Sequence, residues 1–234
     1  MRGPRSQTAR GHRLALAVLA GLGLLAGGLG ATSAARVVGT AVIVVRDVRA
    51  TPPGEATKPV RQGDGIVLAT RVETGKASEV NMTFSPGASI GLGENTSLVI
   101  DSQRIDQSTG RTTSVVSLLA GKLRLALRKL EQAIRVETPE AVAGVKGTVV
   151  RFLTAPLVGT FVAVDEGVVS VRSRAGGEAV DVAAGQWVLV PPGGLPTRPA
   201  PLDHRLNPLG DPPLIDRFDL RFEQPKPPPR TPYG

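Results

Sequence analysis

Between residues 36 and 190, apolar and polar residues alternate with a period of two, interrupted by turn chemistry about every 8–12 residues. In Val80-Asn81-Met82-Thr83-Phe84 alternate side chains are apolar, as in a strand with one buried face. Val37–Val45 and Ile66–Ala69 are β-branched or apolar runs. Further strands are expected at 89–92, 97–100, 112–119, 148–153, 160–164, 168–172, 179–182 and 187–190. Thr74-Gly75, Ser85-Pro86-Gly87, Glu94-Asn95, Ala120-Gly121, Gly176-Gly177 and Ala184-Gly185 separate them as turns. The clearest predicted hairpin joins Phe161–Val164 to Val168–Val171 through Asp165-Glu166-Gly167, with the glycine where a three-residue loop needs positive φ. One segment reads two ways. Leu123, Leu125 and Leu127 alternate with Arg124, Ala126 and Arg128, whereas Leu123, Leu127, Leu130 and Ile134 also share a helical face; the β-rich surroundings favour strand over 122–128. The expected fold is all-β: a jelly-roll-like β-sandwich of short strands, with a short right-handed β-solenoid as the alternative.

The flanks differ in composition. Residues 1–35 carry Arg2, Arg5, Arg10 and Arg13 and no acid, then an uncharged apolar run from Leu14 to Leu29, then small residues up to Ala34 and Ala35. This is the layout of a secretory signal peptide cleaved after Ala34 or Ala35; an uncleaved N-terminal anchor is the alternative. No other segment is apolar enough for a membrane span. Export implies a periplasmic or extracellular protein. At the other end, 13 of the 20 prolines fall in 191–234, so this tail is expected to be largely extended. Within it, Phe218, Leu220 and Phe222 alternate with Asp219 and Arg221, a short strand pattern over 214–222 that could dock on the domain or on a partner.

Charge arithmetic follows this division. The chain has 28 basic and 20 acidic residues, a net +8. Four of those charges belong to the predicted signal peptide, and the domain at 36–190 keeps only +3 (18 basic, 15 acidic). With aromatics at 3%, nucleic acid is not an expected partner. The absence of cysteine excludes disulfides and thiolate chemistry.

Several segments together resemble the FecR domain. The run Thr138-Pro139-Glu140-Ala141-Val142-Ala143-Gly144-Val145-Lys146-Gly147-Thr148 is similar to its most recognisable element, a Thr-Pro followed by an apolar run and Val-(Arg/Lys)-Gly-Thr. Gly63-Asp64-Gly65-Ile66, Glu73–Val80, Phe84–Thr96, Leu119–Arg124 and Val164-Asp165-Glu166-Gly167-Val168 resemble flanking elements in the family's order, and the likeness covers about 60–172. The resemblance implies a cell-envelope signalling module. Family members with a cytoplasmic segment bind sigma factors, but only 13 residues precede the apolar run here, so sigma regulation by this chain alone is not expected. Read from the residues, the motif is structural: Pro139 marks a strand end, and Gly144 and Gly147 mark a bend or a close backbone approach.

Catalytic readings fail. Gly87-Ala88-Ser89-Ile90-Gly91 has the spacing of a nucleophile elbow but sits among strands, and the two histidines, His12 and His204, lie outside the domain. Asp165 and Glu166 read as solvated turn residues. No catalytic residue, metal ligand or cofactor site is expected. The basic residues Lys122, Arg124 and Arg128 would share one strand face as a positive stripe, either a solvated face or a contact for an acidic partner. The expected function is a non-catalytic exported interaction module, contacting an unknown envelope protein; the alternative is a structural or glycan-binding envelope component, with cell-wall glycan as partner.

Overall fold

A computed structural model describes residues 36–84, 88–127 and 132–202. The predicted signal peptide with Ala34 and Ala35, the turn at 85–87, Arg128 and the tail pattern at 214–222 lie outside the described residues. Every regular element among the described residues is a strand.

The strands come in bent pairs, or rungs, each placing one half in a first layer and the other in a second. β1 (Val37–Val45) runs in the first layer and continues into β2 (Val48–Thr51) in the second. After the short β3 (Lys58–Pro59) and β4 (Gly65–Val67), β5 (Arg71–Thr74) leads back into β6 (Glu79–Phe84). β7 (Ala88–Leu92) continues into β8 (Ser97–Ile105), and β9 (Thr112–Leu127) runs unbroken through both layers. β10 (Gln132–Glu137) has no first-layer half. Then β11 (Ala141–Val145) leads to β12 (Val149–Ala155), β13 (Gly159–Glu166) to β14 (Val168–Ser173), and β15 (Gly176–Ala183) to β16 (Gln186–Val190), ending at β17 (Ala200–Pro201).

The first layer has the order β4-β1-β6-β7-β9-β12-β13-β16-β17, all antiparallel. The second has the order β3-β2-β5-β8-β9-β10-β11-β14-β15. Here β9 and β10 are parallel, pairing Gln132 with Thr112 and Glu137 with Ser117. The chain is all-β, and the layers close on one core as in a sandwich while the chain advances rung by rung as in a solenoid.

Each rung turns its corner at a residue in the left-handed region: Arg46 (φ 59°), Ala77 (51°), Asn95 (51°), Gly121 (93°), Gly147 (62°), Gly167 (82°) and Gly185 (75°). The first four corners form a crease along one end of the sandwich. The pairing of Ala126 with Val149 and of Gly121 with Thr154 puts the last three at the opposite end. The parallel strand β10 marks this reversal. Alternation then decides burial: Val72, Leu98, Ile100, Leu118, Val136 and Val171 of the second layer meet Met82, Phe84, Ile90, Leu125, Phe152 and Val162 of the first in one core.

Two expectations change. The predicted hairpin across 165–167 does not exist: β13 pairs with β12 and β16, β14 with β11 and β15, and Gly167 is a corner between layers. Ala120-Gly121 is likewise a bend inside β9, which resolves 122–127 as strand.

The creases are tightly packed at Gly121 and Gly167, whereas the Gly185 corner is open. A Cβ on Gly121 would lie 2.4 Å from Thr96 Oγ1 and 2.5 Å from Thr96 Cα. Gly121→Ala should therefore lower the unfolding free energy by roughly 2–5 kcal/mol, combining left-handed strain with overpacking. Ala77→Gly, which relieves the same backbone strain at an exposed corner, should be neutral or stabilising by up to about 1 kcal/mol. Urea unfolding of both variants tests the assignment; equal effects would refute it.

Candidate interaction surface

Two of the three residues of the expected positive stripe, Lys122 and Arg124, are described, and both are engaged. Lys122 and Arg124 share the outer face of β9, but Lys122 Nζ lies 3.8 Å from Glu94 Oε1. Arg124 is half-buried, pairs in register with Gly91 and Arg151, and has an interaction partner of its own. Arg151 donates from Nε to Asp165 Oδ2 (3.0 Å) and from Nη2 to Asp165 Oδ1 (2.7 Å). Asp165 is thus an ion-pair partner within the first layer, not the solvated turn residue expected from the sequence. The cations on this face alternate with carboxylates, which leaves little net field for steering an acidic partner.

The motif from Thr138 to Thr148 spans the second layer from one end of the sandwich to the other. At its start, Thr138 is buried and reaches across to the first layer. Its hydroxyl lies 2.7 Å from that of Thr160, and the Thr160 and Thr154 hydroxyls are 2.9 Å apart. Thr160 Oγ1–H donates to Glu140 Oε2 at 2.7 Å and Thr154 Oγ1–H to the same oxygen at 3.2 Å. With its single proton committed to the carboxylate, Thr160 accepts from Thr138, so the hydroxyls form a directed chain ending on Glu140. Arg174 fixes the turn from outside, donating from Nε to the Thr138 carbonyl (2.7 Å) and from Nη2 to Glu137 Oε2 (2.7 Å). This clasp ties the layers together at the end where rungs five to seven have no corner. Pro139 is exposed in that turn.

At the motif's other end, Gly147 and Thr148 form a corner against Gly167, whose Cβ would stand 2.7 Å from Thr148 Cγ2. Glu166 and Lys146 are exposed, and Val145 is core. Gly144 departs from expectation: it sits in regular pairing with Arg135 and Ser170, and a Cβ there would meet nothing within 4 Å. The clasp partners Thr154 and Thr160 were not singled out from the sequence, because threonine in a strand reads as ordinary β propensity.

Catalytic geometry is missing at the one site that mimicked it. Ser89 is buried within β7 and donates to Asn81 Oδ1 at 2.9 Å. Among the described residues no group of three or more His, Cys, Asp or Glu could hold a metal ion.

What stands out on the surface is a hairpin tip. Ala155–Val158 is a four-residue turn closed by the Val158 amide donating to the Ala155 carbonyl (3.2 Å), with Pro156 second and Leu157 third. Leu157 has φ +67° and is 96% exposed. This is the pattern of a type II turn with leucine where glycine is normal. Val158 and Leu195 are also exposed; Leu195 lies over Gly177 at the same end of the sandwich.

The family model described as FecR protein matches residues 70–170. Residues 70–170 are a FecR domain. The match runs from the start of β5 into β14, so it contains the Thr138 clasp, the Leu157 hairpin and all but the outermost rungs. No curated protein matches the chain. Two crystal structures of a candidate anti-sigma factor from Parabacteroides distasonis are similar. One is 14% identical with a TM-score of 0.48, covering 57% of this chain and 60% of its own. The other is 16% identical with a TM-score of 0.47, covering 58% and 61%. The chain thus spans about three fifths of each. No helix among the described residues is long and apolar enough to cross a membrane.

If the clasp works as its geometry implies, Thr160→Val should cost about 1–3 kcal/mol by removing one donor to the Glu140 carboxylate and the acceptor of the buried Thr138 hydroxyl. Thr148→Val should be neutral or stabilising, because the buried Thr148 hydroxyl has no hydrogen-bond partner. Chemical denaturation measures both, and an equal loss in the two variants would reject the clasp.

Proposed function

We propose that this chain is a non-catalytic, exported FecR-domain module that acts in cell-envelope signalling or sensing by touching another protein. Leu157 carries the reading. A left-handed leucine costs about 1–2 kcal/mol that glycine would not. Backbone strain clusters at ligand clamps and switch regions, and here it coincides with the most exposed large apolar side chain among the described residues. Val158 and Leu195 extend the apolar surface, and the clasp beneath holds the hairpin at a fixed height. A protein partner whose apolar pocket receives Leu157 fits this surface better than a glycan, for which the tip offers no hydroxyl or amide side chain. The stripe Lys122, Arg124 and Arg128 is the competing contact.

Leu157→Gly separates these. It should raise the unfolding free energy by up to about 1 kcal/mol while abolishing partner capture by a photocrosslinker placed at Val158 in producing cells. Arg124→Glu should leave capture unchanged. Capture that survives Leu157→Gly but fails in Arg124→Glu would move the contact to the stripe. Binding of the purified protein only to peptidoglycan or polysaccharide would replace the proposal with the glycan reading.

Export rests on the basic and apolar layout of residues 1–35. N-terminal sequencing of the protein recovered outside the cytoplasm should begin at Ala35 or Arg36. Recovery with Met1 intact in the membrane fraction would favour the anchored alternative.

A further inference from the structure

Among the described residues, four strands end the two layers. Three are very short: β3 and β17 have two residues each and β4 has three. The fourth, β15, has eight residues and pairs only with β14. Short edge strands resist accidental pairing, whereas a long bare edge is a template for another strand. Neither proline nor lysine guards β15. Val180 on this edge is only half-buried against the core, and Leu195 beside Gly177 is 58% exposed. The second layer therefore stops one strand short of covering its own apolar margin.

The chain is delivered to that margin. In rungs five to seven, passages through the crease alternate in direction: into the first layer at Gly147, out at Gly167, in again at Gly185. β17 runs antiparallel to β16 toward the same crease, pairing Trp187 with Ala200 and Gln186 with Pro201. Trp187 Nε1–H donates to the Pro201 carbonyl at 3.1 Å, and the Leu202 amide donates to the Gly185 carbonyl at 2.7 Å. Leu202 also packs on the outer cluster of Phe161 and Trp187, whose rings stack at 4.8 Å. Leu202 is thus pinned at the corner where β15 ends, and the next passage in the alternation leads out into the second layer beside β15.

Residues 203–213 contain Pro208, Gly210, Pro212 and Pro213, so the first long run after Leu202 free of both residue types begins at Leu214. Its 214–222 portion alternates Phe218, Leu220 and Phe222 with Arg217, Asp219 and Arg221. Eleven intervening residues can reach about 36 Å, more than the roughly 26 Å length of an eight-residue strand, so distance does not forbid the placement. We propose that residues 214–222 add to the second layer as a strand antiparallel to β15. Phe218, Leu220 and Phe222 then cover Val180 and Leu195, and Arg217 and Arg221 flank Asp181 on the outer face.

The chain has no cysteine, so introduced pairs report contacts without background. In the full chain, Asp181→Cys combined in turn with Arg217→Cys, Asp219→Cys or Arg221→Cys should close an intramolecular disulfide under mild oxidation for at least one pair. Asp64→Cys with Asp219→Cys should not. Closure of none of the three pairs, or closure only between chains, overturns the proposal; the latter would mean that β15 pairs with a second copy. Independently, Phe218→Asp with Phe222→Asp should speed amide exchange along 177–183 by about tenfold or more while β7 and β9 stay protected. Unchanged exchange on β15 also overturns it.

Discussion

Everything in this sandwich depends on a left-handed residue at the corner of each rung. A strand that stayed extended for 16 residues would lie in one layer and leave a face wet. One residue with positive φ redirects it, so that β9 buries Val116 and Leu118 from one layer and Leu123 and Leu125 from the other in the same core. The corners are also where neighbouring rungs touch. The Lys122 carbonyl accepts from the Gly93 amide (3.0 Å), and the Gly167 carbonyl accepts from the Ala184 amide (2.9 Å). Two creases at opposite ends follow from inserting one strand, β10, into one layer only. Had every strand been antiparallel, all seven corners would fall at the same end and the other would be a row of open hairpins.

That reversal sets the tasks of the Thr138 segment. The segment lies directly after the switch, where rungs five to seven present turns on the side that rungs one to four close with corners. Each end of β11 therefore has a separate task. Thr138, with Thr154, Thr160 and Glu140, ties the layers together at the open end, and Gly147 starts the new crease. A segment with turn and corner residues at both ends of a strand and apolar ones between, as in Thr138–Thr148 around β11, suits this division of labour.

How much of this was legible in the sequence varies with the range of the interaction. Alternation fixes which side chains are buried locally, and nearly every strand expected from it is present. Partner choice is non-local. Asp165-Glu166-Gly167 satisfies a hairpin and a layer-crossing corner equally, since both need one positive-φ residue after an extended run. Only the pairing of β13 with β16, more than 20 residues on, distinguishes them. The same ambiguity hid the continuity of β9 through Gly121. The clasp was invisible because its threonines come from three separate strands and turns. The Leu157 tip did leave a trace: Ala155-Pro156-Leu157-Val158 has proline in the second turn position and no glycine in the third, a mismatch that points to strain once the segment is known to be a turn.

The clasp and the tip bear on each other. An exposed leucine on a mobile loop would lose much of its contact energy to ordering. Here the hairpin that carries Leu157 is bounded on both sides by clasp residues: Thr154 precedes the turn and Thr160 follows it, each hydrogen-bonded toward Glu140. On the far flank, Gly159 packs so closely on Val190 and Pro191 that a Cβ would meet the Val190 carbonyl. The tip is therefore held from two directions at its base while its apex stands free. Such an arrangement spends stability at one residue and recovers it in the two beneath, so that the strain at Leu157 persists without melting the hairpin. A rigidly presented small apolar apex suits a contact that depends on shape more than on charge. That agrees with a face whose cations are already matched by Glu94 and Asp165, and with a chain whose net positive charge resides half in its first 35 residues.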